Sequence, residues 1–439
     1  MYKYFPLLVS LIFATLCVNT IQSQETLTEL EAIRITLENN YDIQVAKNNI
    51  EIAKNNSSRE LNGYLPTVNT NIGLNSRLGG SSQKFSNGNE NTTSNAFNWG
   101  SNTSISANYT LHDKTRDLTV RQLEEIVRLN DLQLQQTIEN NLLTVLNNYY
   151  EIARLAQNRE VLEETIKLSE QRLQRAQYQY DYGQGIRLNV LNAEVDLQRD
   201  SINLLNLNNQ IANAKRNLNV AMGRPVATPI EVETAVRYQS GLSLGQLIAD
   251  ANKHNIQMQV INKNLDISAM DFDIIESTKN PIIGASASYD FTFSDNAAGS
   301  FIDLSNNRGF ATGVTLAWNL YDGGRRKMQN ENAKINVESQ LVQKTQISQQ
   351  IERDVRNAWE SYQNALFILQ AEEKNLSTNQ LNFQRTEEQF KVGQLTSVEF
   401  RQAQLNLLNA ATSLNAAKYD AKLIEVGLLQ LSGNLKKVL

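Results

Sequence analysis

The sequence predicts a mainly α-helical chain with a transmembrane β-barrel part, laid out as two tandem copies of one structural repeat. Three observations carry that expectation. The segment YGQGIRLNVLNA, Tyr182 to Ala193, returns as VGQLTSVEFRQA, Val392 to Ala403, so that Gly183 and Gly393 lie 210 positions apart, as do Gly223 and Gly433. Upstream, LTELEAI at Leu27 matches LSLGQLI at Leu242, and Pro66 matches Pro281, both at an offset of 215. Each copy also carries two alternating polar and apolar segments ahead of a long run without glycine or proline. Self-similarity over nearly the whole chain sets the architecture before any single residue is read.

The 439 residues are 41% hydrophobic and 7% aromatic with 5 prolines, which favours long helices with a polar face over several compact cores. Residues 1–24, MYKYFPLLVSLIFATLCVNTIQSQ, read as a signal peptide, with Lys3 as the early charge, Phe5 to Val18 as the apolar run and Ser23 as a small residue near the cleavage point. The one cysteine, Cys17, falls inside it, and Leu16 in front of it makes a poor lipid-attachment site. A mature chain without cysteine has no disulfide, thiolate metal site or cysteine nucleophile. Loss of Lys3, with no acid before Glu25, takes the formal charge from -5 to -6. A mildly acidic chain is a poor nucleic-acid binder, because phosphate neutralisation needs a basic face. No later apolar run reaches the ~18 residues of a membrane helix, so only strands could enter a bilayer.

The first copy is assigned to residues 25–223. A helix is expected from Leu27 to about Leu61, interrupted at Asn39-Asn40 and ended before Pro66, because proline disfavours helix in the preceding residue. Strands are expected at about 67–78, with Val68, Thr70, Ile72 and Leu74 on one side, and at about 101–111, with Ile105, Ala107, Tyr109 and Leu111. Gly79 to Asn98 reads as a polar loop between them. Long helices should then occupy 114–182 and 187–222. A linker, 224–241, leads into the second copy, 242–433, with strands at about 282–293 and 309–320 around a loop Ser294–Arg308, and helices at 326–391 and 396–432 before a short tail, 434–439.

Strands of nine to eleven residues with one apolar face fit a transmembrane barrel. A soluble half-buried hairpin gives the same pattern, and the leader and the matched placement favour the barrel. Four strands cannot close, and an open edge in lipid leaves unpaired backbone groups costing several kcal/mol each. Three protomers with four strands each give a closed twelve-stranded trimeric barrel.

The long helices of about 68 residues would run roughly 100 Å at 1.5 Å per residue. Their apolar residues come in adjacent pairs (Val145/Leu146, Tyr149/Tyr150, Ile152/Ala153), a wider stripe than a single seam, although an antiparallel coiled coil stays open as a reading. Each reverses near Gly183 or Gly393, where a tight turn needs a residue that tolerates positive φ.

No catalytic constellation is present, and no enzyme activity or cofactor is expected. His112 and His254 are the only histidines and are far apart in this layout, so neither a metal cluster nor a nucleophile's base is built. The many carboxylates read as solvated helix faces. Gly183-Gln184-Gly185 lies between helices with no preceding strand, which removes a nucleotide reading.

Taken together, the pattern resembles the TolC family of outer-membrane efflux proteins. The resemblance covers almost all of the expected mature chain. It rests on Tyr180 and Phe390 three residues before each tip glycine, on Asn189-Val190-Leu191 and Glu399-Phe400-Arg401 after it, then Ala193 or Ala403, and on NYTLHDKTR at Asn108 and WNLYDGGRR at Trp318. It implies a homotrimer with a β-barrel in the Gram-negative outer membrane, among its lipids, and an α-helical barrel crossing the periplasm. It also implies a passive exit duct for tripartite efflux or type I secretion. Its tips, Tyr182, Gly183, Gln184 and Val392, Gly393, Gln394, would meet a periplasmic adaptor and an inner-membrane transporter of the resistance-nodulation-division or ABC type. Cargo choice would reside mainly with that transporter.

Relatives often carry acids six and nine positions after the second tip glycine. Here these positions are Glu399 and Gln402, the equivalent first-copy position is Asn189, and Leu395 stands where some relatives have a gate arginine. The resemblance therefore implies at most one carboxylate ring, from Glu399, whose three copies would repel and raise the local pKa. An ordinary surface carboxylate is the other reading. A gate held by an Arg–Asp network is not expected. Two rival classes remain: a structural coiled-coil envelope protein, which gives no reason for the matched hairpins, and a periplasmic adaptor, which would need lipoyl-like β domains.

Overall fold

The computed structural model describes residues 26–296 and 302–435, so the leader, Cys17 and most of the 434–439 tail lie outside the described residues. Helix α1 (Glu29–Asn39) begins where the Thr28 hydroxyl accepts the Glu31 N–H at 3.2 Å. It stops at Asn40, whose backbone is extended, and α2 (Tyr41–Asn56) starts at once because Asn40 Oδ1 accepts the Ile43 N–H at 3.1 Å. Strands β1 (Thr67–Lys84) and β2 (Glu90–His112) then lead to α3 (Lys114–Asp181) and α4 (Arg187–Ala221). The order repeats as α5 (Leu244–His254), α6 (Ile256–Ser277), β3 (Ile282–Asp295), β4 (Leu304–Ala317), α7 (Arg325–Lys391) and α8 (Ser397–Leu431).

The compact units are not the two copies. One draws on residues up to Val45, Gln135–Ile256 and Ser348 onward, the other on Ala46–Leu134 and Gln257–Ile347, so each takes material from both.

In the second unit the strands form one antiparallel sheet in the order β1-β2-β3-β4, which leaves β1 and β4 as its edges. The register aligns Ile72, Thr103, Phe291 and Arg308 on one face, and Asn71, Ser104, Asp290 and Gly309 on the other. Apart from Arg308 and a few small polar residues the first face is apolar and bare: Val68, Ile72, Leu74, Phe310 and Val314 are each at least 69% exposed. The long helices start at capping aspartates in both copies. Asp113 Oδ1 accepts the Thr115 N–H at 2.9 Å, and Asp322 Oδ2 accepts the Arg326 N–H at 2.9 Å.

The strands correct the sequence expectation. Most of Gly79–Asn98 is strand: β1 and β2 continue past a bulge at Gly79/Ser81 to a turn in which the Phe85 N–H reaches Asn89 O at 2.8 Å and Gly88 adopts φ 85°. Beyond Leu78 and Phe97 the side chains are polar on both faces, so alternation gives no signal while the backbone ladder still holds. The expected loop Ser294–Arg308 likewise surrenders Ser294–Asp295 and Leu304–Arg308 to strands, and β4 ends at Ala317, short of Trp318 and Leu320.

In the first unit, both members of Val145/Leu146, Tyr149/Tyr150 and Ile152/Ala153 are buried, which makes α3 a wide-stripe helix with neighbours on both sides. The linker runs beside it: Val232 pairs with Leu27, and Tyr149 OH, which donates to Leu27 O at 2.9 Å, also reaches Glu233 O of the linker at 3.3 Å. Within this linker, burial raises the Tyr238 phenol pKa to about 12, and its hydroxyl donates to Lys418 O at 2.7 Å.

Candidate functional site at the helix tips

The tips are built by the same turn twice. After α3, Gly183 takes φ 71°, its N–H reaching Tyr180 O at 3.0 Å and that of Gln184 reaching Gln179 O at 2.7 Å. After α7, Gly393 takes φ 81°, with Gly393 N–H on Phe390 O at 3.1 Å and Gln394 N–H on Gln389 O at 2.9 Å. Both are Schellman closures, which satisfy the last helical carbonyls and require a left-handed residue. Tyr182 and Val392 stand out into solvent at 78% and 69% exposure. Arg175 ties the two tips together, donating to Lys391 O at 2.5 Å and lying 5.0 Å over the Phe390 ring.

The second tip is capped and the first is not. Glu399 Oε2 accepts the Thr396 N–H at 2.8 Å and its hydroxyl at 2.7 Å, while Thr396 Oγ1 accepts the Glu399 N–H at 3.2 Å, a complete capping box; Ile186 offers α4 no side-chain cap. The Thr396 N–H, and then its hydroxyl, hold the Glu399 carboxyl below the ordinary glutamate range. Within one protomer this carboxyl faces donors, the setting in which a glutamate stays ionised to lower pH. Gln402 bonds to Asn406 Oδ1 at 2.9 Å on its own helix, and the half-buried Asn189 sends its N–H to Ile186 O at 3.1 Å.

A few residues above the tips lies a buried polar network that the sequence reading missed. Arg401 of α8 grips Asp200 of α4 with both terminal nitrogens, Nη2 to Oδ1 at 2.7 Å and Nη1 to Oδ2 at 2.8 Å. Ser169 of α3 donates to Asp200 Oδ2 at 2.9 Å, and Gln404 links Arg401 to the Thr165 carbonyl at 2.9 Å. Arg172 pairs with Asp196, and Arg401 Nε lies 3.8 Å from the same carboxylate. Arg401 and Asp200 side chains are 9% and 2% exposed. The readable signal was phase: Asp196 and Asp200 follow the buried Ala193 at i+3 and i+7, the inward stripe of α4. An Arg–Asp network therefore exists at this end of the chain, within one protomer and away from Leu395.

The sequence profile of the outer membrane efflux protein family matches residues 32–224 and 247–434. The chain belongs to that family. The two stretches begin 215 and end 210 positions apart, the offsets at which the chain repeats itself. Family membership assigns it to the Gram-negative outer membrane, with an extension into the periplasm. Among curated relatives, the outer membrane efflux protein BepC of Brucella suis biovar 1 is 21% identical over 69% of this chain and 65% of its own length. The outer membrane protein TolC of Vibrio cholerae is 21% identical over 74% of this chain and 75% of its own. Of solved structures, the CmeC outer membrane channel of Campylobacter jejuni superposes with a TM-score of 0.72 at 12% identity, covering 93% of this chain and 86% of that one. The outer membrane protein VceC of Vibrio cholerae superposes with a TM-score of 0.69 at 16% identity, covering 92% and 96%. At these identities the likeness shows a shared fold.

Proposed function

We propose that three copies assemble into a passive exit duct, the outer-membrane channel of a tripartite efflux or type I secretion system. The observation that carries this reading is the sheet: one face is apolar and exposed, and β1 and β4 are unpaired edges within the chain. A lipid environment suits that face but not those edges, and pairing β1 with β4 of a neighbour resolves both in a closed twelve-stranded barrel. The long helices continue the duct, and cargo passes without bound cofactor.

At the helix tips, the bared residues Tyr182, Gly183, Gln184 and Val392, Gly393, Gln394 dock a periplasmic adaptor. An open groove of about 560 Å³ between α3 and α4, lined by Leu173, Tyr178, Val190 and Leu197, adds apolar surface beside them. The adaptor brings an inner-membrane transporter, proton-driven or ABC. Glu399, exposed on the second tip, is the one acid left for a ring at the mouth, with Gln402 and Asn189 as neutral neighbours.

The test is heat-modifiable trimers in the outer-membrane fraction together with solute sensitivity on gene deletion. Monomers throughout, or no sensitivity to any exported solute, would reject the reading. For the mouth, Glu399→Gln should lower cation selectivity in planar bilayers; unchanged selectivity removes Glu399 from the gate.

A further inference from the structure

The polar face of the sheet is almost free of charge, and its two exceptions have opposite sign. Asp290 of β3 pairs across to Ser104 and Gly309, and Ser288 donates to its Oδ2 at 2.8 Å, which places it on the polar face. Arg77 of β1 pairs with Asn98, and its Nε would lie 3.7 Å from a Cβ added at Gly79, two residues along the same face. Among the described residues neither side chain forms an ion pair. Asp290 lies in the row of Asn71, four residues from the helical end of β1, and Arg77 six residues farther out. At about 3.4 Å per residue and a tilt of ~40°, those six residues of β1 span about 16 Å of barrel axis.

We propose that the lumen of the assembled barrel carries two opposed bands of charge, three Asp290 nearer the helices and three Arg77 nearer the outer mouth, in a wall otherwise built mainly from Ser, Thr, Asn, Ala and Gly. The proposal rests on the trimeric barrel put forward above. Twelve strands 4.8 Å apart and tilted by about 40° enclose a backbone diameter of roughly 24 Å, less the side chains. The Debye length is about 10 Å at 0.1 M salt, so each band reaches most of the lumen at low ionic strength and little of it at 1 M. The barrel then contributes charge sorting of its own. A solute leaving the helical part meets a band that favours cations and the cationic end of zwitterions, and an anion is disfavoured there until it passes to the Arg77 band.

The experiment uses full-length trimers in liposomes, in a Cys17→Ser background, and thiol reagents of equal size and opposite charge. Ser104→Cys beside Asp290 should react faster with the cationic reagent, by about three- to tenfold over the anionic one at 10 mM salt, and the preference should fade at 1 M. Asp290→Asn in that background should abolish it. Asn98→Cys beside Arg77 should prefer the anionic reagent, and Arg77→Gln should cancel that. Thr103→Cys, one residue along β2 and on the apolar face, should resist both. Equal labelling of Thr103→Cys and Ser104→Cys would overturn the barrel itself. Labelling of Ser104→Cys alone, with a charge preference that ignores Asp290→Asn, would leave the barrel standing and sink the charge bands.

Discussion

Arg401 and Asp200 form a bidentate pair that joins the second copy's α8 to the first copy's α4, at 2.7 and 2.8 Å and with both side chains nearly sealed from water. Ser169 and Gln404 satisfy part of the remaining capacity, so the pair is the centre of a network and not an isolated contact. Such a pair ties α8 to the α3–α4 hairpin, and any opening at this end has to carry the three helices together or break buried charges.

Removing one partner leaves the other charge uncompensated, at a cost of about 3–5 kcal/mol. Asp200→Ala should therefore cost deuterium-exchange protection in residues 165–172 and 400–404 while strand amides are unaffected. The double substitution Arg401→Met with Asp200→Leu should recover much of it, because an apolar pair of similar volume avoids burying a charge. Equal losses in the single and double variants would show that packing, not charge, joins these helices.

A different, uncharged joint is made once in each copy, where Asn40 Nδ2 donates to Ala221 O at 2.8 Å and Asn255 Nδ2 to Leu431 O at 2.9 Å. Each asparagine sits at a helix break, and each joint leaves no room at the following C-cap glycine. A Cβ on Gly223 would lie 2.3 Å from Asn39 O, and on Gly433 2.5 Å from His254 O. Asn40→Ala or Asn255→Ala should cost about 1–3 kcal/mol through a stranded carbonyl. Gly223→Ala and Gly433→Ala should cost more, because the obstacle is backbone and φ is 71° at both. Gly245→Ala, with open space around it, should leave the yield of folded protein unchanged and serves as the control.

These joints mark the limit of what the chain discloses by itself. The offsets of 210 and 215 and the glycine-free runs were legible because duplication and helix period are one-dimensional signals. The apolar rows of the sheet were legible where Ile72, Phe291 or Val314 alternate with polar partners. Past Leu78 both faces turn polar, and the ladder that extends β1 to Lys84 has no side-chain signature. Arg401 and Asp200 stayed hidden for a different reason: they lie 201 residues apart, and a carboxylate on a helix looks solvated until its phase against Ala193 is counted. For Glu399 the sequence suggested a ring or surface carboxylate, and that reading missed the Thr396-x-x-Glu399 spacing that marks a capping box.

At the tips, nothing lies within 4 Å of a Cβ built on Gly183 or Gly393, so only backbone strain opposes substitution there. Asparagine adopts the left-handed region readily and β-branched residues do not. Gly183→Asn and Gly393→Asn should keep export near the parent level. Gly183→Val and Gly393→Val should lose it while trimers still assemble, measured by solute susceptibility alongside trimer content. Parent-level susceptibility in the valine variants would mean that the tip turns do not serve docking.

The capping box makes the second tip sensitive to acid in a way the first is not. Because donors hold the Glu399 carboxyl below its ordinary range, its contribution to α8 is complete above the normal glutamate pKa and is lost as pH falls through the lowered value. Protonation leaves one fewer acceptor for the Thr396 N–H and hydroxyl, and the first turn of α8 should fray. The start of α4, capped by no side chain at Ile186, has no such group to lose. Deuterium-exchange protection at residues 397–400, corrected for the intrinsic rate, should fall on acidification from pH 6 to pH 3.5, while that at 187–190 stays level. Glu399→Gln should flatten the profile, since a neutral amide still accepts one bond at every pH. A fall of equal size at both helix starts, or one that persists in Glu399→Gln, would place the acid-sensitive group elsewhere in the tip.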